Sequence, residues 1–352
     1  MSRKPVSQTQ ESEFVRRVLI VLALAALFFL AWHLRHVLLM LFGAVVVATI
    51  FRALADIIKK LPGIPDVVAV GASVILILGA IGLLAALFGA NIGDQIALLR
   101  ESLPKAWASF EQRIGEFGVG EALRQGVLGG GAFANLGKTL ISVGSGMADV
   151  LIVIFGGIFL AAQPNFYRIG LVKLFPASKR SLAAEAMIDS ERALRLWLKG
   201  QLIAMIIVGV LTGFGLWLLG VPSYLVLGLV AGLLEFIPFA GPVIAAIPAV
   251  LIALAASPDL ALWVVLLYTA VQQLEGALVQ PMVQQYAVDL PGVVLLFALI
   301  AFGTLFGIIG VVLAAPLAVV TYVLVKRLYV IETLETRTPI PGEDKVSRGG
   351  GR

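Results

Sequence analysis

Apolar runs of about 15 to 30 residues, the length needed to cross a bilayer, recur along this 352-residue chain. Hydrophobic residues make up 60% of it and charged residues only 13%, with a mean hydropathy of +1.02. A soluble domain is roughly half apolar and a quarter charged. The pattern predicts an all-α, polytopic membrane protein of about eight transmembrane helices. Broken or re-entrant helices are expected in its C-terminal half, and amphipathic helices between spans.

The expected organisation follows from where the apolar runs stop. A cytoplasmic tail at 1–16 precedes three spans within 17–90, at about 17–33, 37–52 and 67–90. The apolar stretch from Val18 to Trp32 has no small-residue cleavage site after it and reads as a retained first span. Residues 91–142 carry five acidic and five basic side chains. Within them Ile96, Leu99, Leu103, Trp107, Phe110, Ile114 and Phe117 recur three or four apart, giving one apolar helix face. A fourth span is expected at 143–163. A basic amphipathic region follows at 164–199, with seven Lys/Arg against three acids. The segment 200–325 is read as a transport core, with spans at about 200–219, 223–257, 259–278 and 290–325. Re-entrant pieces at 223–257 and 290–325 would mimic full spans. A cytoplasmic tail covers 326–352.

Basic residues set the orientation. Arg3, Lys4, Arg16, Arg17, Arg52, Lys59, Lys60, the 168–199 cluster, Lys326 and Arg327 are expected on one side. The positive-inside rule makes that side cytoplasmic, along with both termini. The net charge of +5 is read as this loop bias, not as a nucleic-acid surface. The chain has no cysteine, which excludes disulfides, thiolate metal sites and cysteine nucleophiles.

Between Lys199 and Lys326 there is no Lys or Arg, and only four acids: Glu235, Asp259, Glu275 and Asp289. Asp259 follows Ser257-Pro258 and marks a turn between spans. Glu235 and Glu275 stand beside helix breakers in apolar sequence. Charged groups at membrane depth are costly and mostly face a bundle interior or a wet cavity. Glu235 sits in LEFIPFAGPVIAAIP (234–248), with Pro238, Gly241, Pro242 and Pro248. Proline removes a backbone donor and clashes with the preceding turn, so two half-helices are expected around IPFAGP. A second discontinuity, FGTLFGIIGVVLAAP (302–316), holds Gly303, Gly307, Gly310 and Pro316. Gly241 to Pro248 and Gly310 to Pro316 form a weak repeat, and paired interrupted segments point to a transporter's binding region. The plainer reading stands beside it: proline kinks are common in membrane helices. GxxxG pairs such as Gly209/Gly213, Gly228/Gly232 and Gly303/Gly307 often serve packing alone.

Between the two breaks, VQQLEGALVQPMV (271–283) concentrates Gln272, Gln273, Glu275, Gln280 and Pro281. Such amides and carboxylates need partners, either across helices or from a polar ligand. Gln272 and Glu275 are three apart and share a helix face, while Gln273 points elsewhere.

These residues carry a resemblance. Gly200-Gln201, Pro222-Ser223-Tyr224, Glu235-Phe236-Ile237-Pro238 with Gly241-Pro242, Gln273-Leu274-Glu275 with Gln280-Pro281, and Gly307, Gly310 and Pro316 occur in one order. In that order the sequence resembles the autoinducer-2 exporter family of bacterial membrane transporters. The region 286–294 departs: where the family often has a His-Pro pair, this chain reads DLPGVV, and no histidine role carries over. The resemblance implies about eight spans, a bacterial inner-membrane location and a homo-oligomer. Family members are associated with export of the quorum signal autoinducer-2, and others with sodium/proton antiport.

Other candidates are weaker. Gly137-Lys138-Thr139 looks like the end of a phosphate-binding loop, but the glycine it needs five positions earlier is Ala132, so ATP is not expected. His33 and His36 lack a third ligand, and no metal or cofactor is expected. No nucleophile–base set suggests an enzyme. Three functions remain open: a secondary exporter of a small polar organic molecule in which Glu235 or Glu275 takes up a proton, a cation/proton antiporter using the same acids, and a non-transporting membrane scaffold.

Overall fold

The computed structural model describes residues 7–83, 143–279 and 290–335, together with positions 86 and 101. The expected amphipathic face within 91–142, the loop-like Gly137-Lys138-Thr139, Gln280, Pro281 and Asp289 lie outside the described residues. Among those described, every regular element is helical. In lipid, backbone donors and acceptors have no water to turn to, and a helix satisfies them within the segment.

Helices α1 (Ser7–His33) and α2 (Arg35–Ile58) meet at Leu34, across which helical backbone bonds continue: Leu34 N–H donates to the Leu30 carbonyl and Leu38 N–H to the Leu34 carbonyl, both at 2.9 Å. At this joint Arg35 lies over the Trp32 ring at 4.6 Å, and His36 Nε2 is 3.2 Å from Asp149 of α4. Helix α3 (Asp66–Leu83) follows, then α4 (Val143–Ala162). α2 and α4 pack tightly: a Cβ at Gly157 would sit 2.7 Å from a Val47 methyl. Arg52 joins three helices at one end, donating to the Ala161 carbonyl at 2.6 Å and pairing with Asp66 at 2.9 Å.

After Ala162 the chain turns by 89° into α5 (Pro164–Lys173). Pro164 occupies the first helical turn, where its missing N–H costs nothing. α5 has no buried residue and lies across the direction of the spans. Helix α6 (Arg180–Leu218) has 39 residues, about 58 Å at 1.5 Å per residue. The basic segment expected as a separate amphipathic region therefore contains all of α5 and the first half of α6, which runs without a break into the span. From Lys199 to Leu218 α6 carries no further charge. That stretch is about 29 Å long, close to the thickness of a bilayer's hydrocarbon core.

Helices α7 (Tyr224–Leu234) and α8 (Ala240–Ala256) flank the first break. At 11 residues α7 is too short to cross. Leu227 near its start shares one buried cluster with Ala249, Ile252 and Ala253 near the end of α8, and with Leu216 and Val221 at the far end of α6. Segment 223–257 is thus a re-entrant hairpin with both ends remote from the basic end and its tip at 235–239. Helix α9 (Pro258–Leu274) starts beside those ends. Ser257 caps it by accepting from Leu260 N–H at 3.1 Å, with Pro258 and Asp259 in its first turn.

Helix α10 (Gly292–Val325) bends at Gly307, whose φ of 68° and ψ of −147° are not helical. A Cβ on Gly310 would lie 2.1 Å from the Phe302 carbonyl oxygen. Eight residues of straight helix would separate these by about 12 Å, so the two arms fold back on each other. Segment 290–325 is a second hairpin. Its later arm packs Leu313, Ala315, Val319 and Val323 against Leu39 and Val46 of α2, and Ala193, Leu194, Trp197 and Leu198 of α6.

Pro248 and Pro316, expected as break points, lie inside continuous helix. Gly303 likewise sits within the first helical arm of α10. The reason is local. A proline's lost hydrogen bond can be absorbed where neighbours support the turn, and the Tyr268 hydroxyl donates to the Ala245 carbonyl at 3.3 Å beside Pro248. The breaks occur at 235–239, which contains Pro238, and at Gly307.

Candidate functional site

The first break is built from main-chain geometry. Pro238 has no N–H, and the helical ladder ends with Ile237 N–H bonded to the Leu234 carbonyl. Phe239 holds φ 63° and ψ −49°, a strained region for a residue with a Cβ. The chain then recloses, with Gly241 N–H donating to the Ile237 carbonyl at 2.9 Å. A Cβ at Gly241 would sit 1.9 Å from the Leu234 carbonyl oxygen, so only glycine fits. Gly310 is held against Phe302 by the same device, eight positions on rather than seven. The two glycines of the weak repeat thus share a close backbone approach, while its prolines, Pro248 and Pro316, lie inside helix.

The loop at 235–239 leaves the Glu235 carbonyl without its helical donor. Gln201 of α6 supplies one, its side-chain Nε2 donating at 2.6 Å. Phe236 packs edge-on against Trp197 of α6, with ring centroids 5.7 Å apart. Gly292, the first residue of α10, lies beside the Phe239 ring. The tip thus sits among α6, α9 and α10. Gln201 follows Lys199 by two positions, so the tip lies close to the basic boundary of the apolar layer.

Glu235 is only 5% exposed and Glu275 7%. The two acids are forty positions apart in sequence, yet lie within each other's electrostatic reach. Glu235 Oε2 is buried and has no hydrogen-bond partner among the described residues. Glu275 opens a π-turn, Glu275–Val279, at the end of α9, and its Oε2 accepts from Gln272 Nε2 at 3.1 Å. π-turns are rare and often occur at functional sites. Gln272 therefore supports Glu275 along the shared face, although Gln272 and Gln273 are both exposed.

The structure thus brings together Glu235, Pro238, Gly241, Gln272 and Glu275 around the α7–α8 tip, with α10 starting alongside. Pro242 follows in the first turn of α8. Pro248, Gly303, Gly307, Gly310 and Pro316 lie along α8 and α10, away from the pair in sequence, and serve the hairpins. Gln201 was not singled out as a pathway residue. Its signal was present: a long polar amide just past the last basic residue of a helix has to satisfy something buried.

Two of the GxxxG pairs meet each other. A Cβ at Gly228 would be 2.6 Å from Gly213 Cα, and one at Gly232 would be 3.0 Å from Gly209 Cα. α6 and α7 therefore cross backbone to backbone, which anchors the re-entrant hairpin to the longest helix. The Gly303/Gly307 pair instead serves the fold-back of α10.

A sequence model of the family described as AI-2E family transporter matches residues 18–329. The chain is 36% identical over 151 residues to "Putative transport protein YrrI" of Bacillus subtilis, covering 43% of this chain and 43% of that protein. It is 33% identical over 158 residues to "Putative transport protein YueF" of the same organism, covering 45% and 42%. A protein of Thermotoga maritima named "Putative transport protein" is 25% identical over 187 residues, covering 53% and 57%. The chain thus spans about half the length, or less, of the curated relatives it matches.

Proposed function

This chain belongs to the AI-2E transporter family, and we propose that it is a secondary transporter of a small polar solute, with Glu235 and Glu275 as its ion-carrying pair. The observation that carries this reading is the pairing itself. Two buried carboxylates from different helices lie within each other's electrostatic reach beside unwound main chain, and one oxygen of Glu235 is unpartnered among the described residues.

The chemistry follows from charge. Two carboxylate anions close together in a low-dielectric setting repel strongly. A single proton or monovalent cation shared between them relieves most of that repulsion and halves the charge the pair presents to the surrounding apolar wall. Loading and unloading change how easily the α7–α8 tip can separate from α9, because the tip carries one acid and the α9 π-turn the other. In an alternating-access cycle, this couples ion movement to opening at the basic end.

Under this reading the solute is a small polar organic molecule of the autoinducer-2 kind, exported with a proton as coupling ion. The basic end and both termini face the cytoplasm of a bacterial inner membrane, and the protein works as a homo-oligomer. Cation/proton antiport is the second reading. The observation favouring it is the oxygen-rich setting: carboxylates, the Gln272 amide and carbonyls at a helix break are the ligand types that hold a hard cation.

Proteoliposomes separate these readings. Efflux of preloaded autoinducer-2, indifferent to sodium, supports export. Dissipation of a preset proton gradient on adding sodium supports antiport. A protein that does neither, and whose Glu235→Gln and Glu275→Gln variants lose folding instead, is a scaffold, and the transport proposal fails.

A further inference from the structure

A second cavity lies apart from the glutamate pair. It is open on one side, encloses about 320 Å³, and runs between α2, α5, α6 and the later arm of α10. Neither Glu235 nor Glu275 lines it. Its walls are mostly aliphatic and aromatic, including Phe42, Leu194 and Leu324, with Arg52 and Arg168 among the few charged residues.

Three features of this groove require a ligand that is half anion and half hydrocarbon. First, α5 forms one rim, at 89° to α4 and without buried residues. A short helix with exposed Phe166, Ile169 and Leu171 and basic Arg168 and Lys173, set across the spans, is an interfacial helix. Second, Arg168 carries a charge with no carboxylate partner among the described residues; its guanidinium donates to Asn165 Oδ1 at 2.9 Å. Arg52 is fixed by Asp66 and the Ala161 carbonyl, and its fork has more donors than those bonds use. Third, Ser190 is 8% exposed, lines the groove, and its hydroxyl has no partner among the described residues. Glu191, the acid of the lining, is engaged by Arg195 at 3.3 Å.

We propose that this groove binds an anionic phospholipid, with its headgroup phosphate between Arg168 and Arg52 and an acyl chain along the aliphatic wall. A basic pocket at the interfacial end of a helix bundle suits this ligand. A free phosphate would leave the apolar wall unfilled, and a zwitterionic lipid would place its own cation beside Arg168. A lipid seated here touches α2, α5, α6 and α10 together, and so braces the basic end.

The test uses the full-length protein in neutral detergent, with thermal unfolding followed as phosphatidylglycerol or phosphatidylcholine is added. Phosphatidylglycerol raises the midpoint saturably, whereas phosphatidylcholine and inorganic phosphate do not. Arg168→Ala weakens the apparent lipid affinity about fivefold, the effect of losing one basic contact at a membrane surface, and Arg168→Lys retains most of it. Leu171→Trp crowds the mouth of the groove and weakens the response with no change of charge. Equal responses to the two lipids overturn the proposal. So does a wild-type response from both Arg168→Ala and Leu171→Trp.

Discussion

The side-chain amide of Gln201 donates a 2.6 Å hydrogen bond to the main-chain carbonyl of Glu235. One side chain of α6 thus completes the broken backbone of the α7–α8 hairpin at the position that also carries a buried acid. Packing, backbone accounting and charge converge there, and most of the site's behaviour follows from that junction.

Removing the donor orphans the carbonyl. Gln201→Leu keeps bulk but leaves a buried acceptor unpaired, at a cost of about 1–3 kcal/mol. The loss is expected as a lower thermal midpoint in detergent and a reduced transport rate. Gln201→Glu replaces the amide donor with an anion close to Glu235 and Glu275, and is expected to be worse than the leucine variant in both measurements.

Gly241 and Gly276 provide a matched comparison near the site. A Cβ at Gly241 would press on the Leu234 carbonyl, whereas one at Gly276 meets nothing within 4 Å. Gly241→Ala should destabilise by about 3 kcal/mol, the upper part of the usual overpacking range. Gly276→Ala should fall within about 0.5 kcal/mol of wild type. Thermal unfolding of the two purified variants checks the difference.

The kink in α10 gives a similar contrast. Gly307 sits at a positive φ with extended ψ, a region essentially reserved for glycine. Gly307→Ala is expected to cost about 1–3 kcal/mol. Gly71 of α3 has open space around its Cβ position and ordinary helical backbone, so Gly71→Ala should be neutral or mildly stabilising.

The crossing of α6 and α7 depends on four glycines. Gly228→Leu forces the backbones apart at Gly213 and shifts the whole α7–α8 hairpin relative to Gln201. Transport is expected to fall together with stability. Thermal unfolding and proteoliposome flux of the purified variant check both losses.

Much of this was legible in the residues. Apolar run length announced the helices, because lipid leaves no other economical way to satisfy the backbone. Pro238 with Gly241 marked the first break, and Glu235 and Glu275 marked acids that lipid does not tolerate outside a bundle interior or wet cavity. Other features were hidden for physical reasons. A helix break and a proline kink look alike in sequence, so Pro248 and Pro316 read as break points although both lie inside continuous helix. The 39-residue α6 read as two segments because its polarity changes at Lys199 while its backbone does not. Whether 223–257 crosses or returns depends on tertiary contacts, here Leu227 meeting Ala253 and its neighbours, which no periodicity encodes. Gln201 stands out in the sequence as a polar amide beyond the last basic residue, but its partner is a main-chain carbonyl, and which carbonyl a break frees is set by the tertiary fold.

The central claim concerns the glutamate pair, and the most direct measurement is solute flux in proteoliposomes by wild type, Glu235→Gln, Glu275→Gln and the double variant. Folding and oligomer state are verified in parallel. The account predicts that each single variant loses most of the coupled flux while remaining folded, and that the double variant is little worse than either single one. Wild-type flux from both single variants would contradict it.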